Sequence, residues 1–79
     1  MIIKPGHFYV VKTPEYLFPI PELSSSRFSV ENSIVFVLEK GIKPRNEESF
    51  SWYKVVCQHG VGFVPWYDDG RELEELVLQ

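Results

Sequence analysis

Two neighbouring side chains in the second half of the chain carry groups that suit nucleophilic chemistry. Cys57 supplies a thiol, and His59 places an imidazole two residues further along. A cysteine becomes a nucleophile when a nearby base or cation favours its thiolate. Residues two apart share a strand face, but Gln58 and His59 fall in a predicted turn, which breaks that geometry. We therefore expect Cys57 to be inert and the protein not to be an enzyme.

Metal and cofactor chemistry has no matching motif. His7 and His59 lie far apart, the chain has a single cysteine, and the ligand spacing of a structural zinc site is missing from the sequence. The sequence also has no glycine-rich phosphate loop. We expect no catalytic residue, no metal site and no cofactor.

An aromatic set is the leading candidate for binding. Trp52 opens one apolar stretch, and Pro65, Trp66 and Tyr67 end the next. Aromatic faces beside a proline can pack a polyproline ligand, or they can anchor a folded partner. The alternative is plain strand alternation, in which Trp52 or Tyr53 faces the core and nothing is bound. We predict that the aromatic set forms an exposed partner-binding surface.

Two loops flank this set. Residues 16–21 are unusually apolar for a loop, and they either cap an open end of the fold or are presented to a partner through Tyr16 and Phe18. Capping is slightly favoured because so short a chain has little core, and a third option is that the segment is itself a ligand for another protein. For Glu47 and Glu48, which lie in the other loop, a solvated position is the favoured interpretation.

Composition restricts the class of protein. The chain has 79 residues, a formal net charge of −3 and twelve aromatic residues. This length predicts one globular domain, residues 1–79, and the aromatic load predicts some exposed rings. Basic residues are scattered, which argues against nucleic acid as a partner. One cysteine, no signal peptide and no apolar stretch long enough for a membrane span favour a cytoplasmic protein.

The acidic residues of the last quarter are expected to form a solvated face. They are Asp68, Asp69, Glu72, Glu74 and Glu75.

Short runs of β-branched and aromatic residues between turn signals predict an all-β fold with minimal helix. The predicted strands are residues 8–11, 28–30, 34–38, 52–57, 61–64 and 76–78. For residues 71–79 a helix stays open as the alternative, because Leu73, Leu76 and Val77 also fit one face of a helix. Gly60 is expected to provide the positive φ of a hairpin turn between the fourth and fifth strands. Pro65 should end the fifth strand, and residues 66–70 should form a short helical turn or loop.

The second half of this pattern resembles the SH3 family. Trp52 stands where a Trp opens the third strand of that family, Gly60 stands in the following turn, and residues 62–65 match its Gly-aromatic-aliphatic-Pro strand. The resemblance implies a small SH3-like barrel of five to six short strands, with residues 14–27 as the long RT-like loop and residues 41–50 as the n-Src-like loop. The family places acidic specificity residues in the latter loop, so the resemblance implies that Glu47 and Glu48 select a basic residue in a partner. The Ala-Leu-Tyr-Asp-Tyr signature and the Ser-Asn-Tyr that follows the family's proline are both missing. The resemblance therefore implies the barrel more than the usual proline-peptide recognition.

These observations together predict a non-enzymatic protein–protein interaction module, either an adaptor or a small inhibitor. Two alternatives stay open. One is a nucleic-acid-associated barrel of the Tudor or KOW type, which would need a positively charged groove beside its aromatic residues. The other is a self-associating structural subunit in which exposed aromatic residues pair between copies.

Overall fold

A computed structural model describes residues 2–23, 25–41 and 50–77, and this part of the chain is all β, with seven antiparallel strands and no helix. The strands are β1 (Phe8–Val11), β2 (Tyr16–Leu17), β3 (Phe28–Ser29), β4 (Ile34–Lys40), β5 (Phe50–Cys57), β6 (Gly60–Tyr67) and β7 (Leu73–Leu76). The predicted all-β class is therefore confirmed, and the five-stranded sheet of the described residues is open rather than closed into a barrel. Seven strands are described, where five or six were expected, because the apolar stretch at residues 16–21 contributes β2.

Five strands form one sheet in the order β6-β5-β4-β1-β7, and β2 pairs with β3 in a small second sheet. Phe18 joins the two, because its backbone N–H and C=O both bond to Phe63 on β6, at 2.8 Å each. The hairpin of β2 and β3 thus lies along the outer edge of β6.

Strand alternation assigns the core residues to one face of each strand. On β1 the inward residues are Tyr9 and Val11, and on β4 they are Val35 and Val37. This matches the period of two that a half-buried strand shows. The core cluster consists of Ile3, Tyr9, Val11, Leu17, Val30, Val35, Val37, Tyr53, Val55, Val64, Trp66 and Leu73.

The β5–β6 hairpin forms as expected. Cys57 pairs with Gly60 across a two-residue turn, and Gly60 has a φ of 101°. Only glycine adopts this backbone conformation without steric cost. The hairpin fixes the register of the seven residue pairs that follow.

Several strand boundaries were predicted wrongly, those of β6 and β7 by the most. β6 does not stop at Pro65 but continues to Tyr67, so residues 66 and 67 are not a helical turn. Hydrogen-bonded and non-bonded pairs alternate in an antiparallel ladder. Phe63 directs its backbone groups away from β5, toward Phe18. Pro65 lies two residues further along, so it also points its nitrogen away from β5 and the ladder loses no donor.

The last strand also lies earlier than expected. β7 spans Leu73–Leu76, and Leu73 pairs with Val11 while Leu76 pairs with Phe8. This register brings Leu73 into the core cluster. The predicted residues 76–78 share only their first residue with β7, and Leu78 lies outside the described residues.

Candidate functional site

Trp66 belongs to the core and not to an exposed surface. Its side chain is 0% exposed, and its ring centroid lies 5.8 Å from that of Tyr53. Trp66 pairs with Ser51, on the inward face that also carries Val64. The prediction of an exposed Trp66 is therefore wrong, because the hairpin register turns this residue inward. Its indole Nε1 has no hydrogen-bond partner among the described residues.

Trp52 is also buried, with 5% of its surface exposed. It lies on the opposite face of β5 from Tyr53, where strand alternation alone would leave it open to solvent. Phe18 covers it, with the two rings in an edge-to-face arrangement at a centroid distance of 5.6 Å. The expected exposure of Trp52 is wrong, because a residue from the long connection packs over this face of the sheet.

The capping interpretation of residues 16–21 is confirmed for two residues. Leu17 and Phe18 are each 3% exposed. Leu17 packs on the core side of β6 at Gly62, where an added Cβ would lie 2.6 Å from the Leu17 Cγ. Phe18 is consequently closed to a partner, while Tyr16 is exposed and carries the Arg27 guanidinium 4.5 Å above its ring.

Pro65 and Tyr67 do reach the surface, where they line a groove of about 220 Å³. Phe50, Glu15 and Glu72 complete its walls. Pro65 and Tyr67 lie on the same face of β6 because they are two residues apart, and Phe50 pairs with Tyr67 from β5. One side of the groove is therefore aromatic and apolar, and the other carries two carboxyl groups.

The turn that follows β6 is anchored to the core face of β5. Asp68 Oδ1 accepts hydrogen bonds from Ser51 Oγ at 2.8 Å and from Tyr53 Oη at 2.9 Å, and Lys40 Nζ lies 3.8 Å from it. Burial is the main cause that raises the pKa of the Tyr53 hydroxyl, and the hydrogen bond to Asp68 is the second. The hydroxyl therefore stays protonated and donates to Asp68. These bonds hold the residue next to Tyr67 in place, so the groove wall is well positioned.

Glu72 is the most unusual group in the groove, because it is a carboxyl that is only 7% exposed. One of its oxygens accepts the Tyr67 backbone N–H at 3.3 Å, and the other has no hydrogen-bond partner among the described residues. Burial raises the pKa of Glu72, with the bond from Tyr67 opposing the change. The expectation that Glu72 belongs to a solvated acidic face is wrong.

Glu15 faces the same groove. Burial raises its pKa from an ordinary value of 4.5 to about 7, and the charge of Glu72 acts in the same direction. A hydrogen bond from the Thr13 hydroxyl, 3.5 Å away, opposes the rise weakly. A backbone bond from the Val30 N–H to the Glu15 carbonyl, and another from the Lys12 N–H to the Glu72 carbonyl, bring the two glutamates together.

Sequence reasoning missed three residues of the groove, namely Glu15, Phe50 and Glu72. The available signal for Glu15 was weak: a lone carboxylate after Pro14 at the start of the long connection. Glu72 lies in an acidic run whose other members are less buried, so the sequence did not distinguish it from them. Glu47 and Glu48, the acidic residues that were predicted to select a basic partner, lie outside the described residues.

The histidines and the cysteine that were considered for catalysis do not lie together, and both histidines contact other side chains. The His59 ring stacks on Phe28 with a centroid distance of 5.3 Å, and His7 Nδ1 lies 2.6 Å from Glu75 Oε2. Cys57 is a free cysteine at the end of β5. Within residues 2–23, 25–41 and 50–77, no three His, Cys, Asp or Glu side chains gather in a way that could hold a metal ion.

The described parts of the chain contain no helix with the length and apolar character needed to cross a membrane. No family model matches the chain, and no significant match is found among curated proteins or among solved structures.

Proposed function

We propose that this chain is a non-enzymatic protein–protein interaction module, an adaptor or a small inhibitor. It binds an extended segment of a partner in the groove lined by Phe50, Pro65 and Tyr67. The observation that carries the proposal is this open apolar wall on a rigid hairpin. Tyrosine and proline surfaces of this kind supply large contact area with little loss of side-chain entropy.

The arrangement of strands supports the SH3-like part of the proposal. A first strand is followed by a long connection that folds back as a hairpin, and then by three strands that pair in succession. This is the order that the resemblance implies. The groove differs from the predicted site, because Trp52 and Trp66 are buried and Phe50 takes part instead.

Charge pairing favours a protein over a nucleic acid as the partner. Lys12 lies 3.8 Å from a carboxylate oxygen of Glu74, and Arg71 lies 2.7 Å from one of Asp69. The groove itself carries carboxyl groups, which repel phosphate. The proposal includes a cytoplasmic location, since secreted domains of this size usually depend on paired cysteines.

Two tyrosines provide a matched test. Tyr67 and Tyr16 are each 39% exposed, and each has an arginine guanidinium over its ring. The immobilised chain selects peptides from a random library, and the affinity of the selected peptides is then measured for wild type, Tyr67→Ala and Tyr16→Ala. We expect Tyr67→Ala to weaken binding about tenfold or more, as truncation of an anchor residue does, and Tyr16→Ala to leave it within about twofold.

Both variants are first compared with wild type by amide NMR spectra to establish that they fold. Loss of binding in Tyr16→Ala alone would move the site to the β2–β3 hairpin and contradict the proposal. Failure to select any peptide, together with concentration-dependent sedimentation, would favour the self-associating subunit instead.

A further inference from the structure

The unpartnered oxygen of Glu72 is the feature of the groove that an apolar binding surface does not explain. The residue is more than nine-tenths buried, it lines the groove, and its Oε1 has no hydrogen-bond partner among the described residues. Buried polar atoms in folded proteins nearly always have a partner, so each exception calls for a specific reason. Because Glu72 lines the groove, a ligand that inserts a donor beside this buried oxygen would supply the missing partner.

Glu15 adds a second carboxyl group to the same groove. The charge of Glu72 raises the cost of ionising Glu15. Asp69 adds to the rise in the Glu72 pKa, but it is itself bound by Arg71 through both carboxylate oxygens. The groove therefore combines two carboxyl groups, whose burial raises their pKa, with an aromatic wall.

Basic side chains of the described residues do not neutralise this pair. Lys12 is directed to Glu74, and Arg27 lies over the Tyr16 ring. Arg71 is bound to Asp69 and lies over the Tyr67 ring, and its charge opposes the rise in the Glu72 pKa. Neither Glu15 nor Glu72 forms an ion pair with a described residue. The raised pKa of both groups favours their protonated forms in the free groove, and a cationic ligand would stabilise the ionised forms.

We infer that Glu15 and Glu72 form the recognition site for a basic side chain, arginine or lysine, on the partner segment that occupies the groove. This inference rests on the proposed function and names the chemistry of its ligand. A guanidinium or ammonium group donates charge-assisted hydrogen bonds to both carboxylates and fills the empty position at Glu72 Oε1.

Two blocked peptides that differ only in charge test the inference. The probes are acetyl-Pro-Arg-Pro-amide and the same peptide with citrulline, a neutral isostere, in place of arginine. Each is titrated into the isotopically labelled full chain and followed by NMR. We expect the arginine peptide to shift the resonances of Phe50, Tyr67 and Glu72 saturably, with an affinity about tenfold above that of the citrulline peptide.

Paired substitutions separate a specific site from a general charge effect. Glu72→Gln keeps an acceptor for the Tyr67 N–H, and we expect it to remove the preference for arginine while binding of the citrulline peptide is unchanged. Glu74→Gln is the control, because it removes the same charge from an exposed position two residues away. We expect it to keep the preference.

Three results would overturn the inference. One is equal binding of both peptides in the groove, which would leave the proposed function standing. Another is loss of the preference in Glu74→Gln as well as in Glu72→Gln, which would indicate only an effect of net charge. The third is no shift with either peptide while library-selected peptides still depend on Tyr67. Failure of the proposed function has a different signature, because Tyr67→Ala would then leave the binding of selected peptides unchanged.

Discussion

The pH dependence of stability is a direct consequence of the buried carboxyl pair. The pKa of Glu15 is raised from 4.5 in the unfolded chain to about 7 in the fold. Between these values the folded chain binds the proton more tightly than the unfolded chain does. Protonated Glu15 therefore contributes its full stability below about pH 4.5, and this contribution is lost as the pH rises through about 7. Glu72 acts with the same sign, because burial raises its pKa too.

The magnitude follows from the size of the pKa change. Each tenfold change in proton affinity is worth about 1.4 kcal/mol, so a rise from 4.5 to about 7 gives a ceiling of about 3 kcal/mol. Glu15 is partly open to solvent, and screening there reduces the effect to about 1–2 kcal/mol. Glu15→Gln removes the titrating group while it keeps a similar shape. We expect this variant to be more stable than wild type by about 1–2 kcal/mol near pH 8 and of similar stability near pH 4.5.

Urea unfolding, followed by the fluorescence of the two buried tryptophans over a series of pH values, measures this difference. Glu22→Gln is the control, because Glu22 is an exposed glutamate of the same connection and should not change the pH profile. The reasoning would be refuted by parallel profiles for wild type and Glu15→Gln across this range. A wild-type stability that increases from pH 4.5 to pH 8 would contradict the sign of the argument.

Two packing predictions concern the segment that covers the sheet. Phe18→Ala should lower the free energy of unfolding by about 3–5 kcal/mol. This is a large part of the roughly 4–12 kcal/mol expected for a chain of this length. The substitution also uncovers Trp52, whose fluorescence emission should shift to longer wavelength. The exposed Ile20→Ala is its control, and equal costs for the two would show that Phe18 does not pack as described. Gly62→Ala should cost about 1–3 kcal/mol in urea unfolding, because its Cβ would lie 2.6 Å from Leu17 Cγ and 2.8 Å from the Phe18 carbonyl oxygen. A neutral Gly62→Ala would mean that the hairpin of β2 and β3 can move away from β6 without cost.

Local sequence patterns predicted the elements well wherever a strand and its turn lie close together in the chain. β1 has the predicted bounds, and the β5–β6 hairpin turns at Gly60 as expected. β-branched and aromatic residues favour extended backbone, and glycine allows the positive φ of the turn, whatever the rest of the chain does. The all-β class follows from the same short-range preferences.

The aromatic residues show where such patterns stop being sufficient. Alternation places Trp66 on one face of β6 and Tyr67 on the other, but it does not say which face packs on the core. Packing of β1 and β4 decides this and buries Trp66. Trp52, on the opposite face, would be exposed by alternation alone and is buried only because Phe18 reaches it from the long connection.

The sequence by itself therefore determined an all-β chain with a tight β5–β6 hairpin and with Pro65 and Tyr67 as candidates for binding. Tertiary structure alone decided which aromatic residues stay accessible, and it alone assembled the acidic side of the groove. Glu15 and Glu72 are far apart in the chain, and backbone hydrogen bonds from Val30 and Lys12 to their carbonyl groups bring them together. Such pairings depend on how distant strands pack, so no local pattern around either glutamate could indicate that burial raises the pKa of both.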